Sequence, residues 1–201
     1  MVVEKLVVGL LEANCYIVAD EETKDAVIID PGADAMRIKS VISRLRLKPG
    51  FIINTHGHAD HIGANGDMGL PIMIHRLDKE FLDDPGKNLS ASFAARIVSP
   101  PASRLLNDGD VLAAGRIRLH IIHTPGHTPG CISIKADNAI FTGDTLFNKS
   151  VGRTDLPGSD EEKLLDSIRK KLLVQDDRCV IYPGHGPCST IGEEKRHNPF
   201  L

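Results

Sequence analysis

The sequence predicts a layered domain of the α/β or α+β class, and three observations predict it. Of the 201 residues, 41% are hydrophobic, which is enough for a packed interior. Short apolar runs recur along the chain and end at Gly or Pro, as strands do. Other segments repeat apolar residues at helical spacing, so helices are interspersed with the strands. No repeat or linker divides the chain, and we expect one domain that covers residues 1–201.

The first half of the chain is predicted to consist mostly of short strands. These lie at residues 4–8, 15–19, 26–30, 51–53 and 71–74. Asp34 can cap a helix, and Pro49-Gly50 is predicted to end the unit that this helix begins. The apolar residues of the helix share one face: Ile38, Val41, Ile42 and Leu45. A second helix is predicted over residues 77–84.

The second half begins with residues 85–102, which are rich in Pro, Ser, Asn and Gly and are predicted to be a loop with some helix. Ser159 and Glu162 have the spacing of a capping box, which opens a helix. The inward face of that helix is predicted to contain Leu164, Leu165, Ile168 and Leu172. Strands are predicted at residues 111–112, 116–122, 132–135, 139–141 and 179–182, the last of these being the final strand.

Composition and charge exclude several classes of partner. The formal net charge is −3 and no block of Lys or Arg occurs, so neither nucleic acid nor an anionic membrane is expected as a partner. Aromatic residues make up only 4% and Trp is absent, which argues against base stacking. The apolar run at residues 6–11 is too short to span a bilayer and lacks the basic flank of a signal peptide. The four cysteines form no CxxC pair, and reduced thiols in the cytoplasm are the simplest interpretation.

The strongest chemical signal is the segment THGHADH at residues 55–61. It follows an apolar strand and contains His56, His58, Asp60 and His61, a set that suits a divalent metal such as zinc. In an extended backbone His56 and His58 point to the same side. Asp60 and His61 lie where the chain turns, from which they can reach a second, adjacent metal. The alternative is a solvated polar loop, which rarely gathers four such groups by chance.

Three further segments have one form in common: an apolar strand, a glycine turn and a possible ligand. They are TPGHTPG with His127, TGD with Asp144 and PGHGP with His185. Loops held by rigid strands are where catalytic groups are usually found. Each segment alone is better explained by a turn histidine or a capping aspartate. Together with the histidine cluster, the three favour one common site.

The other histidines show no such pattern. His75 ends a strand, His120 and His123 flank the strand before the TPGHTPG loop, and His197 lies in the polar tail. Local hydrogen bonds or surface positions are expected for them, although His123 can also orient a metal ligand. Cys131 is expected to pack as a small apolar residue.

These motifs resemble those of the metallo-β-lactamase superfamily, and most closely its glyoxalase II-like branch. THGHADH, TPGHTPG, TGD and PGHGP occur in the order found in that superfamily and span most of the chain. The segments FNKSVGRTDLPGSD and TIGEEKRHNPF are similar to those of short bacterial glyoxalase II-like proteins. The first motif is highly specific, and the ordered set identifies the fold that we expect.

The resemblance implies an α+β fold, a four-layer αββα sandwich with the site at one edge of its two sheets. It also assigns ligands to two divalent metal ions, expected to be zinc, with iron or manganese as alternatives. The first ion would be held by His56, His58 and His127. The second would be held by Asp60, His61 and His185, with Asp144 bridging the two. No separate C-terminal glutathione-binding helical domain is expected, because the chain ends soon after PGHGP.

The activity that the resemblance implies is hydrolysis of a small-molecule thioester, with S-D-lactoylglutathione as the first choice. Two metal ions in such a site share a water and lower its pKa, so that hydroxide can attack a carbonyl carbon. Asp60 and Asp144 are the predicted catalytic carboxylates. Arg153 lies where the family has a basic residue that contacts glutathione, and it can pair with a substrate carboxylate. A structural salt bridge from Arg153 to Asp155 or Asp160 is the alternative.

Three other functions are compatible with the motifs. Persulfide dioxygenases are similar and share a GRTD segment, but they use one iron held by two histidines and an aspartate. The complete second set, Asp60, His61 and His185, argues against that reaction. Hydrolysis of another acyl substrate, such as a lactone or a β-lactam, would use the same hydroxide chemistry. The last alternative is a metal-binding module without activity.

Overall fold

The computed structural model describes residues 1–93 and 96–201, and two six-stranded sheets form its centre. The first sheet contains its strands in chain order: β1 (Val2–Val8), β2 (Ala13–Ala19), β3 (Asp25–Ile29), β4 (Lys48–Ile53), β5 (Ile72–His75) and β6 (Arg104–Leu106). Strands β1 to β3 pair antiparallel, and β3 to β6 pair parallel. The parallel half directs the carboxyl ends of several strands to one edge of the sheet.

The second sheet is mostly antiparallel and is built from β7 (Val111–Ala114), β8 (Ile117–His123), β9 (Ile132–Ala136), β10 (Ala139–Gly143), β13 (Val180–Pro183) and β14 (Ser189–Thr190). Its order is β14-β13-β10-β9-β8-β7, and β13 pairs parallel with β10. A separate small hairpin is formed by β11 (Leu146–Phe147) and β12 (Ser150–Val151). The parallel pairing brings the chain ends after β10 and β13 side by side.

The helices lie in the connections between strands, except for the last one, which follows β14. They are α1 (Ala35–Leu45), α2 (Ala59–Ile62), α3 (Asn65–Met68), α4 (Glu161–Ser167) and α5 (Ile191–His197), with 3₁₀ helices at Arg76–Phe81 and Ser90–Phe93 and a π-helical turn at Ile168–Leu172. Within the described residues, no helix is long and apolar enough to cross a membrane.

The two sheets pack face to face around the main hydrophobic core. Tyr16 of β2 and Phe141 of β10 meet there, with ring centroids 5.2 Å apart in an edge-to-face arrangement. Val27 and Ile53 of the first sheet and Ile134 of the second are also fully buried in this layer. All seven residues of β2 are buried, because both faces of that strand are covered.

A helical layer covers the outer face of each sheet. Ile38 of α1 is buried against Ile28 and Ile52 of the first sheet, a contact that stabilises the fold by roughly 2–3 kcal/mol. On the second sheet, Ile140 packs with Leu164 of α4. Helix, sheet, sheet and helix therefore form four layers, and the predicted α+β fold with an αββα arrangement is confirmed.

Most of the predicted strands are present, and the clearest difference concerns Pro49-Gly50. The prediction that these residues end the helical unit is wrong, because α1 ends at Leu45 and both residues lie inside β4. The pairing register with β3 shifts by one residue at this point, so Gly50 forms a β-bulge. A bulge accommodates Pro and Gly inside a strand that the sequence alone does not reveal.

Two predicted helix caps differ in their side-chain contacts. Asp34 occupies the N-cap position of α1, but it adopts a left-handed backbone with φ 56° and makes no capping bond. Its Oδ2 instead accepts a hydrogen bond from the backbone N–H of Gly9, 3.1 Å away. The predicted cap Ser159 is wrong, since Asp160 is the N-cap of α4 and accepts from the backbone N–H of Lys163.

Several elements differ from the prediction in type or were not predicted. The helix expected over residues 77–84 is the shorter 3₁₀ helix Arg76–Phe81. The loop expected over residues 85–102 contains a 3₁₀ turn, and its residues 94 and 95 lie outside the described residues. Strands β6 and β14 and helix α5 were not predicted, so the strand ending at Pro183 is not the final one. In α4, Leu164 is buried as predicted but Leu165 is only half-buried.

Candidate metal centre

All seven predicted ligands follow strands and meet at one edge of the two sheets. His56 to His61 follow β4 of the first sheet, with the last two ligands on α2. His127, Asp144 and His185 follow β8, β10 and β13 of the second sheet. The parallel register places Gly143 opposite Pro183, so the loops that carry Asp144 and His185 run side by side. The sequence segments predicted to share one site are therefore adjacent in the structure.

The first group of possible ligands consists of His56, His58 and His127. One ring nitrogen of each lies within 4.8 Å of the others, and all three side chains are buried. Nδ1 of His58 is 2.9 Å from Nε2 of His127, although the two residues belong to loops of different sheets. Three imidazoles at this spacing can ligate one divalent ion.

The second group of possible ligands consists of Asp60, His61 and His185, again with one ligand atom each within 4.8 Å. Oδ2 of Asp60 lies 3.2 Å from Nε2 of His185 and 3.6 Å from Nε2 of His61. An oxygen and two nitrogens form a harder ligand set than three imidazoles, and such a set accepts zinc, iron or manganese.

Asp144 lies between the two groups. Its Oδ1 is 3.5 Å from Nε2 of His61, and its Oδ2 is 3.7 Å from Nε2 of His127. The same Oδ2 is 3.6 Å from Nε2 of His185. One carboxylate thus faces ligands of both groups, which is the arrangement that a bridging ligand requires.

Hydrogen bonds to Nδ1 of His56 and of His127 determine that the other ring nitrogen, Nε2, faces the centre. Asp30 accepts the hydroxyl proton of Thr55 at 2.6 Å, so the Thr55 oxygen can only accept from Nδ1 of His56, 3.2 Å away. Nε2 of His56 is then unprotonated and available to a metal. His127 is fixed in the same way, because its Nδ1 donates to the backbone carbonyl of Arg153 at 2.8 Å.

Unsatisfied polar atoms provide a test of whether the site fits a metal. Among the described residues, four buried side-chain nitrogen or oxygen atoms have no hydrogen-bond partner, and three of them lie here: His56 Nε2, His61 Nε2 and Asp144 Oδ1. Each such atom costs about 1–3 kcal/mol when left unpaired. Each of the three atoms can offer a lone pair to a metal, that of His61 once its Nε2 proton is displaced, so a bound cation would satisfy them together. The residues fit the divalent ions that the sequence predicts.

The two groups differ in charge. Burial lowers the pKa of His58 to about 3 and that of His56 well below its usual value, with neighbouring histidines adding to the effect. Burial also opposes ionisation in the second group, but Asp60, Asp144 and Asp30 raise the pKa of His61 to about 10. His56 and His58 are therefore neutral, whereas the carboxylates around His61 favour positive charge in the second group, either a proton or a bound cation.

Four of the candidate ligands directly follow a glycine: His58, His127, Asp144 and His185. These glycines allow the close approach of the loops. A Cβ on Gly57 would overlap Phe81, and one on Gly143 would overlap the Thr55 side chain. A Cβ on Gly184 would overlap Oδ1 of Asp144. The glycines that mark turns in the sequence thus also set how near the ligands come to one another.

Arg153 forms the salt bridge that the sequence offered as an alternative. Its guanidinium donates two hydrogen bonds of 2.7 Å to the carboxylate of Asp155, and its side chain is 63% exposed. Its backbone carbonyl is the partner of His127, so the residue borders the centre. Contact with a substrate stays a prediction.

The other residues singled out in the sequence have local roles. His75 and His123 stack on each other with ring centroids 4.0 Å apart. Nε2 of His123 lies 2.9 Å from the carbonyl oxygen of Pro129, within the loop of His127, but His123 does not contact a predicted ligand. Cys131 is buried, as expected for a small apolar residue.

Sequence reasoning missed two buried aspartates beside the centre. Asp30 directly follows β3, and like Asp144 it lies after an apolar strand and beside a glycine turn, although the turn follows Asp30 and precedes Asp144. Asp78 lies in the 3₁₀ helix and accepts hydrogen bonds from two ligand-bearing loops. No sequence pattern marks Asp78, because its partners are separated from it by 21 to 52 positions.

An αββα sandwich whose sheet edge carries two adjacent groups of histidine and aspartate defines a class of metal-binding hydrolase folds. The chain belongs to the metallo-beta-lactamase superfamily, whose family model matches residues 8–185. The family that the sequence motifs predicted is confirmed, and the superfamily is one of metal-dependent hydrolases.

Three similar proteins illustrate the range of this superfamily. The chain is 38% identical to hydroxyacylglutathione hydrolase GloC of Haemophilus influenzae, over 100% of this chain and 98% of that protein. The crystal structure of the BLEG-1 B3 metallo-beta-lactamase superposes with a TM-score of 0.95, at 38% identity over 100% of this chain and 99% of that chain. The structure of TTHA1623 in a di-iron-bound form gives a TM-score of 0.88, at 35% identity over 98% of this chain and 100% of that chain.

Proposed function

We propose that the protein is a binuclear metal-dependent thioesterase that hydrolyses hydroxyacyl thioesters such as S-D-lactoylglutathione. The observation that carries the proposal is the convergence of seven histidine and aspartate side chains at one sheet edge, three of them with buried, unpartnered polar atoms. The choice of a thioester is supported by the similarity to hydroxyacylglutathione hydrolase GloC along the whole chain.

The protein's own contribution is to hold two sets of ligands in place. His56, His58 and His127 would hold one ion, and Asp60, His61 and His185 the other, with Asp144 contacting both. When bound, two divalent ions supply hydroxide near neutral pH and polarise the scissile carbonyl. The hydrogen bonds to Thr55, Asp30 and the Arg153 carbonyl would hold a proton on Nδ1 of each ring, so that Nε2 is the nitrogen left to face an ion.

Thioester hydrolysis in this centre would need neither a general acid for the leaving group nor a nucleophile from the protein. A thiol ionises near pH 8.5, so a thiolate leaves with little proton assistance and no general acid is required. Burial raises the pKa of the Cys131 thiol well above its usual range, which makes that cysteine a poor nucleophile. The ring centroid of Phe147 lies 6.3 Å from that of His185, and this half-buried side chain is proposed to offer an apolar surface to the acyl group.

The substrate carboxylate is proposed to bind Arg153. This guanidinium is exposed, borders the centre through its backbone, and already holds one carboxylate, that of Asp155, with two hydrogen bonds. A free carboxylate of a glutathione-like leaving group can compete for the same planar pair of donors. We propose a small-molecule substrate and no nucleic-acid or membrane partner.

The test is kcat/KM for S-D-lactoylglutathione on protein whose metal content has been quantified. We expect two metals per chain and a value of about 10⁴ M⁻¹s⁻¹ or above, the ordinary range for an enzyme on its own substrate. Negligible turnover with both metals present would exclude S-D-lactoylglutathione as the substrate and move the search to other acyl substrates. Zinc is the proposed metal, and the similarity to TTHA1623 in a di-iron-bound form makes iron the second candidate, which the same metal analysis decides.

Hydrolysis of a β-lactam is the second candidate, and it is favoured by the similarity to the BLEG-1 B3 metallo-beta-lactamase. The same ligand sets would serve, since both reactions begin with attack on an acyl carbon. A panel of thioesters, lactones and β-lactams assayed at equal enzyme concentration distinguishes the two. A kcat/KM for a β-lactam that exceeds every thioester value would replace the first proposal with the second.

We also propose that residues 1–201 form one domain that works in a reducing compartment, the cytoplasm. The core shared by both sheets supports the first point, and the second is supported by four cysteines that are all free thiols, three of them buried. Full activity in the presence of millimolar reductant, with no disulfide detected by thiol titration, is the expected result.

A further inference from the structure

We propose that Asp78 is a positioning residue that locks together the two loops of the first histidine group. The inference rests on the proposed function to the extent that a metal ion binds to His56, His58 and His127. Asp78 is not a ligand, and it lies on the 3₁₀ helix Arg76–Phe81, outside both loops. Its side chain is completely buried.

The contacts of Asp78 join one loop of each sheet. Its Oδ2 accepts from the backbone N–H of Gly57 at 3.0 Å, and Gly57 lies between the two ligands of the first loop. The same oxygen accepts from the hydroxyl of Thr128 at 2.6 Å, and Thr128 follows His127 directly. Oδ1 accepts from the backbone N–H of Gly130 at 2.6 Å. One carboxylate therefore spans the gap between the loops that must supply ligands to the same ion.

The chemistry of the three donors requires a carboxylate. Burial raises the pKa of Asp78 to about 6, opposed by its hydrogen bonds, so the group is ionised at neutral pH and accepts at both oxygens. An asparagine offers only one oxygen, and its amide would face a donor that it cannot satisfy. A buried charge that makes three hydrogen bonds is tolerated where an isolated one is not.

The backbone around Asp78 has no room for another arrangement. A Cβ on Gly130 would lie 2.5 Å from Oδ1 of Asp78, and a Cβ on Gly57 would overlap Phe81 at the end of the same 3₁₀ helix. Both loops thus rest directly on the helix that carries Asp78. Loss of the carboxylate is expected to let the loops separate, which changes the distance between His58 and His127.

The first experiment is a competition titration of the metal-free full chain with Zn²⁺ and a chromophoric chelator, which gives two stepwise dissociation constants. For Asp78→Asn we expect one constant to rise by roughly 10- to 100-fold, as for other residues that orient metal ligands, and the other to change by less than about threefold. Asp20→Asn is the matched control, because Asp20 is also buried and also accepts backbone N–H groups but contacts no ligand-bearing loop. It should leave both constants unchanged.

A pair of variants at Thr128 keeps the test decisive if Asp78→Asn does not fold. Thr128→Val removes the hydroxyl that donates to Asp78 and should lower the affinity for the metal ion that Asp78→Asn affects. Thr128→Ser keeps the hydroxyl and should bind that ion with wild-type affinity. In a His127→Ala background, adding Asp78→Asn or Thr128→Val should raise the dissociation constant by less than about a further threefold. The reason is that residues that act through one another do not have additive effects.

The outcomes separate this inference from the proposed function. If wild-type protein binds no metal, both are wrong. If it binds two metals and folded Asp78→Asn has unchanged constants, or both constants rise equally, only the role of Asp78 is excluded. Equal affinities for Thr128→Val and Thr128→Ser would exclude it as well.

Discussion

Oδ2 of Asp30 lies 3.0 Å from Nδ1 of His61, on the side of the ring that faces away from Asp60 and Asp144. Asp30 also accepts from the backbone N–H and the hydroxyl of Thr55, so the carboxylate is held by three donors. It keeps the proton of His61 on Nδ1 and leaves Nε2 for the centre. One buried aspartate therefore connects the loop of the first group with His61, a candidate ligand of the second.

Asp30→Asn should weaken metal binding without removing a ligand. An amide has only one oxygen, so it cannot accept from all three donors, and when its NH2 group faces His61 that ring loses its orientation and its preferred tautomer. We expect a loss of roughly 10- to 100-fold in the affinity of one metal, measured by chelator competition. Asp25→Asn, the same change near the other end of β3, is the control and should bind metal like the wild type. Equal affinities for the two variants would contradict the role of Asp30.

Asp60→Ala and His185→Ala should each lower activity strongly while the fold persists. Both side chains belong to the second group and are partly exposed, at 21% and 29%, so neither is required for the core. We expect kcat/KM to fall by more than about 100-fold, because the hydroxide generation proposed for two metals would be lost. Circular dichroism and urea unfolding check the fold. Wild-type activity in either variant at matched metal content would refute the assignment of the second metal.

The grouping of the seven candidate ligands could be predicted from the sequence because each follows a strand and most follow a glycine. That pattern is local, so His127, Asp144 and His185 stand out even though they come together only in the folded chain. The outer partners could not be predicted in the same way. Asp78 acts on Thr128 across 50 positions, and only the packing of two sheets brings the pair together.

The fold was predicted well where periodicity is strong and poorly where tertiary contacts decide. The two-residue strand β14 is too short to show a period, and β6 has only three residues. In such short strands packing overrides local propensity. Helix α5 is mostly polar and shows no apolar face in the sequence, although Thr190 caps it and Ile191 and Glu194 are buried.

Arg153→Ala should raise KM for an anionic thioester and leave kcat nearly unchanged. The guanidinium is exposed beside the centre and is proposed to bind a carboxylate that does not take part in the reaction, so its loss weakens ground state and transition state alike. We expect an increase in KM of about tenfold, as for one charge-assisted hydrogen bond of roughly 1.5–3 kcal/mol partly replaced by water.

The control for Arg153 is Arg178→Ala. Arg178 forms the same kind of pair, with two hydrogen bonds of 3.0 Å to Asp176, on an exposed side chain that contacts no predicted ligand. It should leave both kinetic parameters unchanged. If the two variants behave alike, Arg153 has no part in substrate binding and its salt bridge to Asp155 is structural.

The pH dependence of stability should contain a contribution from Asp20. The Arg116 guanidinium and backbone N–H hold the pKa of this buried carboxyl well below its usual range. In an unfolded chain the pKa of an Asp is about 3.9. Because the folded pKa is the lower one, the stabilisation is fully present above pH 4 and declines as the pH falls, when the unfolded chain takes up a proton.

Asp20→Asn isolates that contribution. At pH 7 the variant should unfold at a lower urea concentration than the wild type, and the difference between their midpoints should shrink as the pH falls below about 4. Metal loss at low pH affects both proteins and cancels in the comparison. A difference that stays constant from pH 7 to pH 3 would show that Asp20 is not ionised more readily in the folded protein.

Gly184→Ala should disturb the centre more than its small size suggests. The added Cβ would overlap Oδ1 of Asp144 and come 2.9 Å from Cε1 of His61. Since Asp144 faces both groups, its displacement should lower the affinity for both metal ions. A change at a single group is expected to lower the affinity for one ion only.

Gly50→Ala is the control, because a Cβ there meets nothing within 4 Å and the backbone has no positive φ. We expect Gly184→Ala to raise both stepwise dissociation constants by tenfold or more, roughly the effect of misplacing one ligand, and Gly50→Ala to raise neither. If Gly184→Ala instead binds two metals normally, the loops have room to move apart and Asp144 need not bridge them.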